Sequence, residues 1–321
     1  MSFFNTGSDT LSKMNDFIEQ QRGESWLSAG IPMSSAAHPC YRKVWYDLHW
    51  VSGVKEFEAR ILRLFETGEI YEERLLDWLE GVHGVEVQRF DDKGKQLKAV
   101  LAGGFLRGKL DGRCIGLPEA PKTPHTIECK SHNDKSFKGV VKAGVKEGKP
   151  EHYAQMQSYM HAMGDTRALY MAINKNDEEI YLERVEYNVE YCLKMISKCE
   201  AVAKSEEPPH KLHEDPRKRG ALECRWCDHK GVCHDNMFPE SMNCRTCAHV
   251  STSLDGNATW KCALTGHPLS YSEQREGCSA HLLIPEIVPG ELIDFDEDKL
   301  IATYRLNDGR EWKDSRSLEI S

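Results

Sequence analysis

The sequence has no uncharged apolar run near the roughly 18 residues that a membrane-spanning helix needs, so no contact with a membrane is expected. Its opening residues, Met1 to Asp9, lack a basic segment followed by an apolar one, so no secretory signal is expected and a cytoplasmic setting is. A basic excess is missing as well. Forty-two Lys and Arg stand against 51 Asp and Glu, a formal charge of −9, which argues against coating nucleic acid by bulk charge. A local basic groove beside an acidic, metal-filled site stays compatible with that balance. No internal repeat is visible. What the chain has in excess is cysteine: 12 in 321 residues. Disulfide frameworks belong to small exported chains, so clustered thiols in a longer chain without an export signal point to metal.

The length suits about two domains. The first 35 residues are polar and mixed, without strong periodicity. Val54, Phe57, Ile61, Leu64 and Phe65 recur at helical spacing, predicting a helix that ends near Gly68. Glu72, Leu75, Leu76 and Leu79 share one face of a second helix. Alternating segments follow at Val85/Val87, Leu97/Ala99/Leu101, Phe105 to Ile115 and Thr126 to Lys130, with a turn at Asp91-Asp92-Lys93-Gly94. Pro150 opens a helix with Tyr153, Met156, Met160 and Met163 on its apolar stripe and Gly164 at its end. Paired strands are expected at Ala168–Ile173 and Ile180–Val185, then a helix from Val189 to Lys204 that Pro208-Pro209 breaks. Strands with flanking helices predict an α/β or α+β core with a central mixed sheet. The last 36 residues hold ten acids and five bases, with Asn307-Asp308-Gly309 as a hairpin turn between Tyr304 and Trp312.

Side chains alternate along a strand, so Glu128 and Lys130 share a face. Asp111 and Glu128 could give two oxygen ligands to a hard divalent cation, and the Cys129 carbonyl a third. Lys130 would orient a water or neutralise a phosphate, a set of parts suited to metal-assisted phosphodiester hydrolysis. The plain reading of the same residues is a row of solvated charges on a sheet edge. Glu72, core-facing, needs a partner, which a metal or the helix dipole would provide. His152, Gln155 and Tyr159 form a polar stripe that taken alone would mean a solvated face. The stretch 130–149 carries six lysines, Lys135, Lys138, Lys142 and Lys146 among them, against Asp134 and Glu147. That net positive charge suits a DNA backbone or a solvated loop.

Taken together the order is Gly68-x3-Glu72, Asp111-Gly, Glu128-x-Lys130, Gln155-x3-Tyr159. It resembles the RecB-like branch of the PD-(D/E)XK nucleases, which includes the AddB nuclease domain, CRISPR-associated exonucleases and, more distantly, phage lambda exonuclease. The match runs from about Cys40 to Cys233. The resemblance implies a restriction-endonuclease-like core, with Asp111 and Glu128 as Mg²⁺ or Mn²⁺ ligands and Lys130 catalytic. Gln155 and Tyr159 would hold DNA or the scissile phosphate. Many RecB-like members carry His where this chain has Glu72, which leaves one or two metal ions open.

Cys224-x2-Cys227-x5-Cys233 places three thiols on one loop, and Cys40 is the best candidate for a fourth. The arrangement resembles the [4Fe–4S] clasp of AddB and the CRISPR-associated exonucleases; zinc with His229 or His234 is the alternative. Cys244-x2-Cys247-x14-Cys262-x15-Cys278 reads as a small ribbon-like Zn²⁺ site, in which His249 or His281 could replace a thiolate. Such a module is a structural staple or a contact to DNA or a partner. Cys192 and Cys199, seven apart on a helix, read as core residues. The expected domains are 1–235, a nuclease with an iron–sulfur clasp; 242–282, a zinc module; and 283–321, an acidic hairpin and tail. The expected function is a metal-dependent deoxyribonuclease, an exonuclease acting on DNA ends in recombination or repair. A recombination or single-strand-binding protein is a candidate partner, and the appended zinc module suggests a phage or prophage setting. The alternatives are a catalytically idle nucleic-acid-binding or adaptor protein on the same fold, or an iron–sulfur redox sensor.

Overall fold

A computed structural model describes residues 8–21, 27–53 and 57–315 of the chain. It divides into two compact units, one made of Met1–Trp26, Val54–Ala99 and Gly108–Cys192, the other of Leu27–Gly53, Val100–Arg107 and Leu193–Ser321. Among the described residues no helix is long and apolar enough to cross a membrane.

The first unit is built on a five-stranded mixed sheet flanked by helices, the architecture expected from the alternation of strand and helix patterns. Its strands, in spatial and in chain order, are Glu86–Gln88, Gly112–Ile115, His125–His132, Arg167–Asn174 and Ile180–Glu186. Neighbours pair antiparallel except His125–His132 and Arg167–Asn174, which are parallel. A parallel pair needs a long crossover, and here two helices, Asp134–Gly148 and Pro150–Met163, provide it. The two central strands are buried on both faces. Ile127, Cys129, Leu169, Met171 and Ile173 pack with Leu75, Leu76 and Leu79 of the Ala59–Glu80 helix. Ala168, Tyr170 and Ala172 face the crossover helices through Phe137, Val140, Tyr153, Met156 and Met160. Burying each large aliphatic side chain contributes about 1.5–3 kcal/mol, so these two clusters fix the register of the central strands.

Three expectations need correction. Gly68 ends nothing: one 22-residue helix runs from Ala59 to Glu80. A lone glycine costs a helix only about 1 kcal/mol, less than the burial of Leu75, Leu76 and Leu79 returns. Leu64 and Phe65 of the first apolar stripe are exposed, and Val54 lies outside the described residues. The segment Phe105 to Ile115 is two strands, Leu106–Lys109 and Gly112–Ile115, with Leu110 and Asp111 between them. The polar start contains a helix, Asp9–Gln21, packed on the Ala59–Glu80 helix.

Other expectations hold. Asp91 Oδ1 accepts from the N–H groups of Lys93 and Lys95 across the 91–94 turn. Gly164, at φ 71°, caps the helix that Pro150 opens, the left-handed conformation that glycine adopts without strain. The Val189–Lys204 helix forms, and Cys192 and Cys199 are buried.

The second unit is richer in loops. Ile31–Pro32 pairs parallel with Leu106 and Arg107. A hairpin of Val250–Ser253 and Thr259–Cys262 follows the Cys244–Thr246 turn. A three-stranded antiparallel sheet, Gly290–Asp296, Ile301–Leu306 and Glu311–Asp314, includes the expected pairing of Tyr304 with Trp312.

Candidate active site

Three carboxylates and one lysine are brought together on the first unit by three different elements. Glu128 and Lys130 point to the same face of the His125–His132 strand, as alternation requires. Asp111 enters from the break before the neighbouring strand, where its Oδ2 accepts the Cys129 N–H at 2.7 Å. Glu72 comes from the Ala59–Glu80 helix, one turn before Leu75 and Leu76, and is half-buried.

Lys130 sits among them. Its Nζ is ion-paired with Glu128, lies 3.8 Å from Asp111 Oδ2 and donates to the Cys129 carbonyl at 2.9 Å. Glu128 is fully buried, and apart from that ion pair neither of its oxygens meets a hydrogen-bond donor among the described residues. Buried charge without partners is costly, and the titration of the group shows it. Burial first, then repulsion from Asp111 and Glu72, pushes the Glu128 carboxyl up to about 8. Glu72 is pushed up to about 7, by burial and then by Asp111. Asp111 is raised by burial, with Lys130 and the Cys129 N–H pulling the other way. Lys130 is held firmly protonated: its carboxylate neighbours outweigh the cost of its burial.

Gln155 and Tyr159 lie one turn apart on the Pro150–Met163 helix. Gln155 Nε2 donates to the Tyr159 hydroxyl at 3.0 Å, and that hydroxyl donates to the Lys109 carbonyl at 2.6 Å. Burial and the nearby Glu128 raise the Tyr159 phenol, so it remains a donor. The lysine-rich stretch is a helix, not a loop. Asn133 caps it by accepting from Ser136 N–H, a sequence signal that was there to be read. Lys135, Lys138 and Lys142 share one exposed face of it, and Lys146 follows the turn at Gly144, where φ is 73°. Lys138 is paired with Asp134 at 2.9 Å.

Among the described residues, no group of three or more His, Cys, Asp or Glu side chains is closed around one point so as to hold a metal ion. The carboxylate cluster nonetheless has the donor set of a hard-cation site: oxygen ligands only, lone pairs of Glu128 unused, and a cation, the Lys130 ammonium, already among them.

In the second unit Cys40, Cys224, Cys227 and Cys233 line one small cavity. Burial is the first cause that raises Cys224, Cys227 and Cys233, and the Cys40 thiol adds to it for each. His229 is not free to ligate, since Nε2 bonds Asp47 at 2.8 Å and Nδ1 bonds Ser52 at 2.8 Å. His234 lines the same cavity, and its buried Nε2 has no hydrogen bond among the described residues. Cys244, Cys247, Cys262 and Cys278 line a second cavity with His249 and His281. Burial and the other three thiols push Cys244 up to about 11.

No family model matches the chain, and no curated protein matches its sequence. Among solved structures it is similar to the exonuclease LHK-Exo of Laribacter hongkongensis, in complex with dAMP, at 15% identity and a TM-score of 0.41. That likeness covers 54% of this chain and 86% of the other. It is also similar to a phage-related exonuclease from Haemophilus somnus, at 13% identity and a TM-score of 0.40, over 57% of this chain and 94% of that one.

Proposed function

We propose that this protein is a divalent-metal-dependent deoxyribonuclease, an exonuclease that acts on DNA ends in recombination or repair. The observation that carries the reading is the convergence of Glu72, Asp111 and Glu128 on Lys130, with both Glu128 oxygens buried and short of donors. Three carboxylates crowded in a poorly solvated place repel one another. A site that exists only to be stable would have neutral residues there.

Glu72, Asp111, Glu128 and the Cys129 carbonyl are the groups that would hold Mg²⁺ or Mn²⁺. Such an ion, when bound, supplies the positive charge that stabilises a phosphodiester under attack and makes water a better nucleophile. Lys130, which keeps its proton, donates to a non-bridging phosphate oxygen and offsets the charge that develops in the transition state. Gln155 and Tyr159 hold the strand beside it. Lys135, Lys138, Lys142 and Lys146 bind the backbone through charge alone, without regard to sequence.

The cysteine sets are the proposal's second part. Cys40, Cys224, Cys227 and Cys233 hold a [4Fe–4S] cluster, and Cys244, Cys247, Cys262 and Cys278 hold Zn²⁺. What supports this is that each set, scattered in sequence, lines one cavity. Both groups are structural on this reading, stapling the nuclease region and a small appended module.

The test is incubation of the anaerobically purified protein with end-labelled single- and double-stranded DNA, with and without Mn²⁺. Mn²⁺-dependent loss of label supports the reading. Binding without cleavage under every condition would replace it with that of an idle nucleic-acid-binding protein.

A further inference from the structure

Hydrolysis requires something to take the proton of the attacking water, and the groups named so far are poorly placed to do it. The Lys130 ammonium is held by the Glu128 carboxylate and the Cys129 carbonyl, the Tyr159 hydroxyl is committed to the Lys109 carbonyl, and the carboxylates are the ligands. A second polar cluster lies beside them on the same face of the sheet. His132 follows Glu128 and Lys130 at strand spacing and is 6% exposed. Its Nε2 bonds the Tyr170 hydroxyl at 2.8 Å, and its Nδ1 bonds Ser136 Oγ at 3.2 Å. Tyr170 pairs with Glu128 in the strand register and is fully buried. The same hydroxyl bonds His152 Nδ1 at 3.0 Å, and the two imidazoles are stacked with centroids 5.7 Å apart. His152 begins the helical stripe that continues through Gln155 and Tyr159. It is half-buried, and its Nε2 bonds to no described residue.

We infer that Ser136, His132, Tyr170 and His152 form a proton relay whose outer end, His152 Nε2, accepts the proton of the water that attacks the scissile phosphate; this rests on the nuclease reading above. Every link in the chain can both donate and accept. As the O–P bond forms, the water proton passes to His152 Nε2 and the His152 Nδ1 proton passes to the Tyr170 oxygen. The Tyr170 proton moves to His132 Nε2, the His132 Nδ1 proton to Ser136 Oγ, and the Ser136 hydroxyl proton to solvent. The P–O bond to the leaving oxygen breaks, and that oxygen takes a proton from solvent. Both histidines begin and end neutral, with their tautomers exchanged.

That feature answers a difficulty of the site. Burial, Lys130 and Lys149 all oppose a charged His152, so an isolated imidazole there would be a poor base. Passing a proton onward as one arrives avoids an imidazolium beside two ammonium groups. His152 is then a catalytic residue, and His132 and Tyr170 are positioning residues that act through it.

The test uses the full chain with Mn²⁺ and end-labelled duplex DNA, comparing the parent with His152→Ala, His152→Gln and Tyr170→Phe. A positioned base typically contributes about 10²–10⁴-fold, so kcat should fall on the order of 100-fold or more in all three, with KM within about threefold. His152→Gln keeps a hydrogen bond to Tyr170 but cannot relay a proton, so it should be as slow as His152→Ala. Added imidazole should restore part of the rate to His152→Ala. Parent-like kcat in His152→Ala or Tyr170→Phe overturns the relay while the nuclease reading stands, and so does full recovery with glutamine. If a variant melts well below the parent, the imidazole arm decides: no rescue in folded His152→Ala protein counts against the relay. A parent protein that cuts no DNA sinks the nuclease reading and the relay with it.

Discussion

Glu72, Asp111 and Glu128 are gathered by a helix, a strand break and a central strand, whereas the eight clustered cysteines sit on turns, short helices and a hairpin. Both regions crowd groups of one kind, and burial raises the pKa in both. The consequences differ. A buried thiol is neutral at physiological pH and packs as a small apolar group, so the cysteine cavities are tolerable empty. Buried carboxylates must either ionise against one another or hold protons. The sheet therefore carries a standing electrostatic cost that a cation relieves, and the loops do not. Regular structure is what makes that cost bearable, because the apolar packing on both faces of the sheet holds the carboxylates in place.

The largest effect should come from removing the charged groups one at a time. Asp111→Ala, Glu128→Ala and Lys130→Ala should each lower DNA cleavage by on the order of 100- to 1000-fold, while circular dichroism shows the fold retained. Three variants that cut at the parent rate would place the chemistry elsewhere.

The corresponding cut in the loops should act on stability. A clasp between Cys40 and the 224–233 loop closes nearly 190 residues, which in the chain-entropy model amounts to about 5 kcal/mol. Cys40→Ala, purified anaerobically, should lose its iron and brown colour, melt roughly 10 °C lower, and keep its zinc. Colourless parent protein with two zinc ions and no iron would sink the cluster assignment but not the nuclease.

The electrostatic cost should show directly in the pH dependence of stability. Glu128 and Glu72 bind protons in the folded chain up to about 8 and about 7, whereas unfolded carboxyls release them near 4.5. A raised carboxyl stabilises the fold below the unfolded pKa, and that contribution is lost as pH rises through the folded one. The metal-free protein should thus melt progressively lower between pH 6.5 and 8. Histidines held neutral, such as His132 and His152, give the opposite slope only below their ordinary 6.5. Saturating Mn²⁺ should flatten the fall, and so should Glu128→Gln without metal. Glu72→Gln should raise the Mn²⁺ needed for half-maximal cleavage; an unchanged titration would leave Glu72 with the helix dipole alone.

The smallest effect belongs to Gly68. A methyl group there would meet nothing within 4 Å, so Gly68→Ala should stabilise the Ala59–Glu80 helix by about 0.5–1 kcal/mol. The thermal midpoint should rise by a few degrees with cleavage unchanged. A fall in the midpoint would mean that the glycine is required for more than helix continuity.

Local periodicity accounts for the regular parts of this protein. Alternation put Glu128 and Lys130 on one face, the Leu75/Leu76/Leu79 stripe placed Glu72 toward the core, and the Pro150 and Gly164 signals bounded the helix of Gln155 and Tyr159. Local rules suffice there because strand and helix geometry repeat every two residues or every 3.6. They fail where a weak local signal is overridden, as at Gly68, or where a single side-chain cap starts the helix, as at Asn133. Which distant groups meet depends on the packing of the whole chain. Asp111 reaches the Cys129 N–H because the strand breaks at Leu110-Asp111, and His229 is withdrawn from any metal by Asp47 and Ser52, more than 170 residues away. Tyr170 joins His132 to His152 only because the parallel pairing of two strands brings residues 38 and 18 positions apart to one hydroxyl. No spacing rule encodes such meetings, since they depend on the closure of long loops by packing that the whole chain supplies at once.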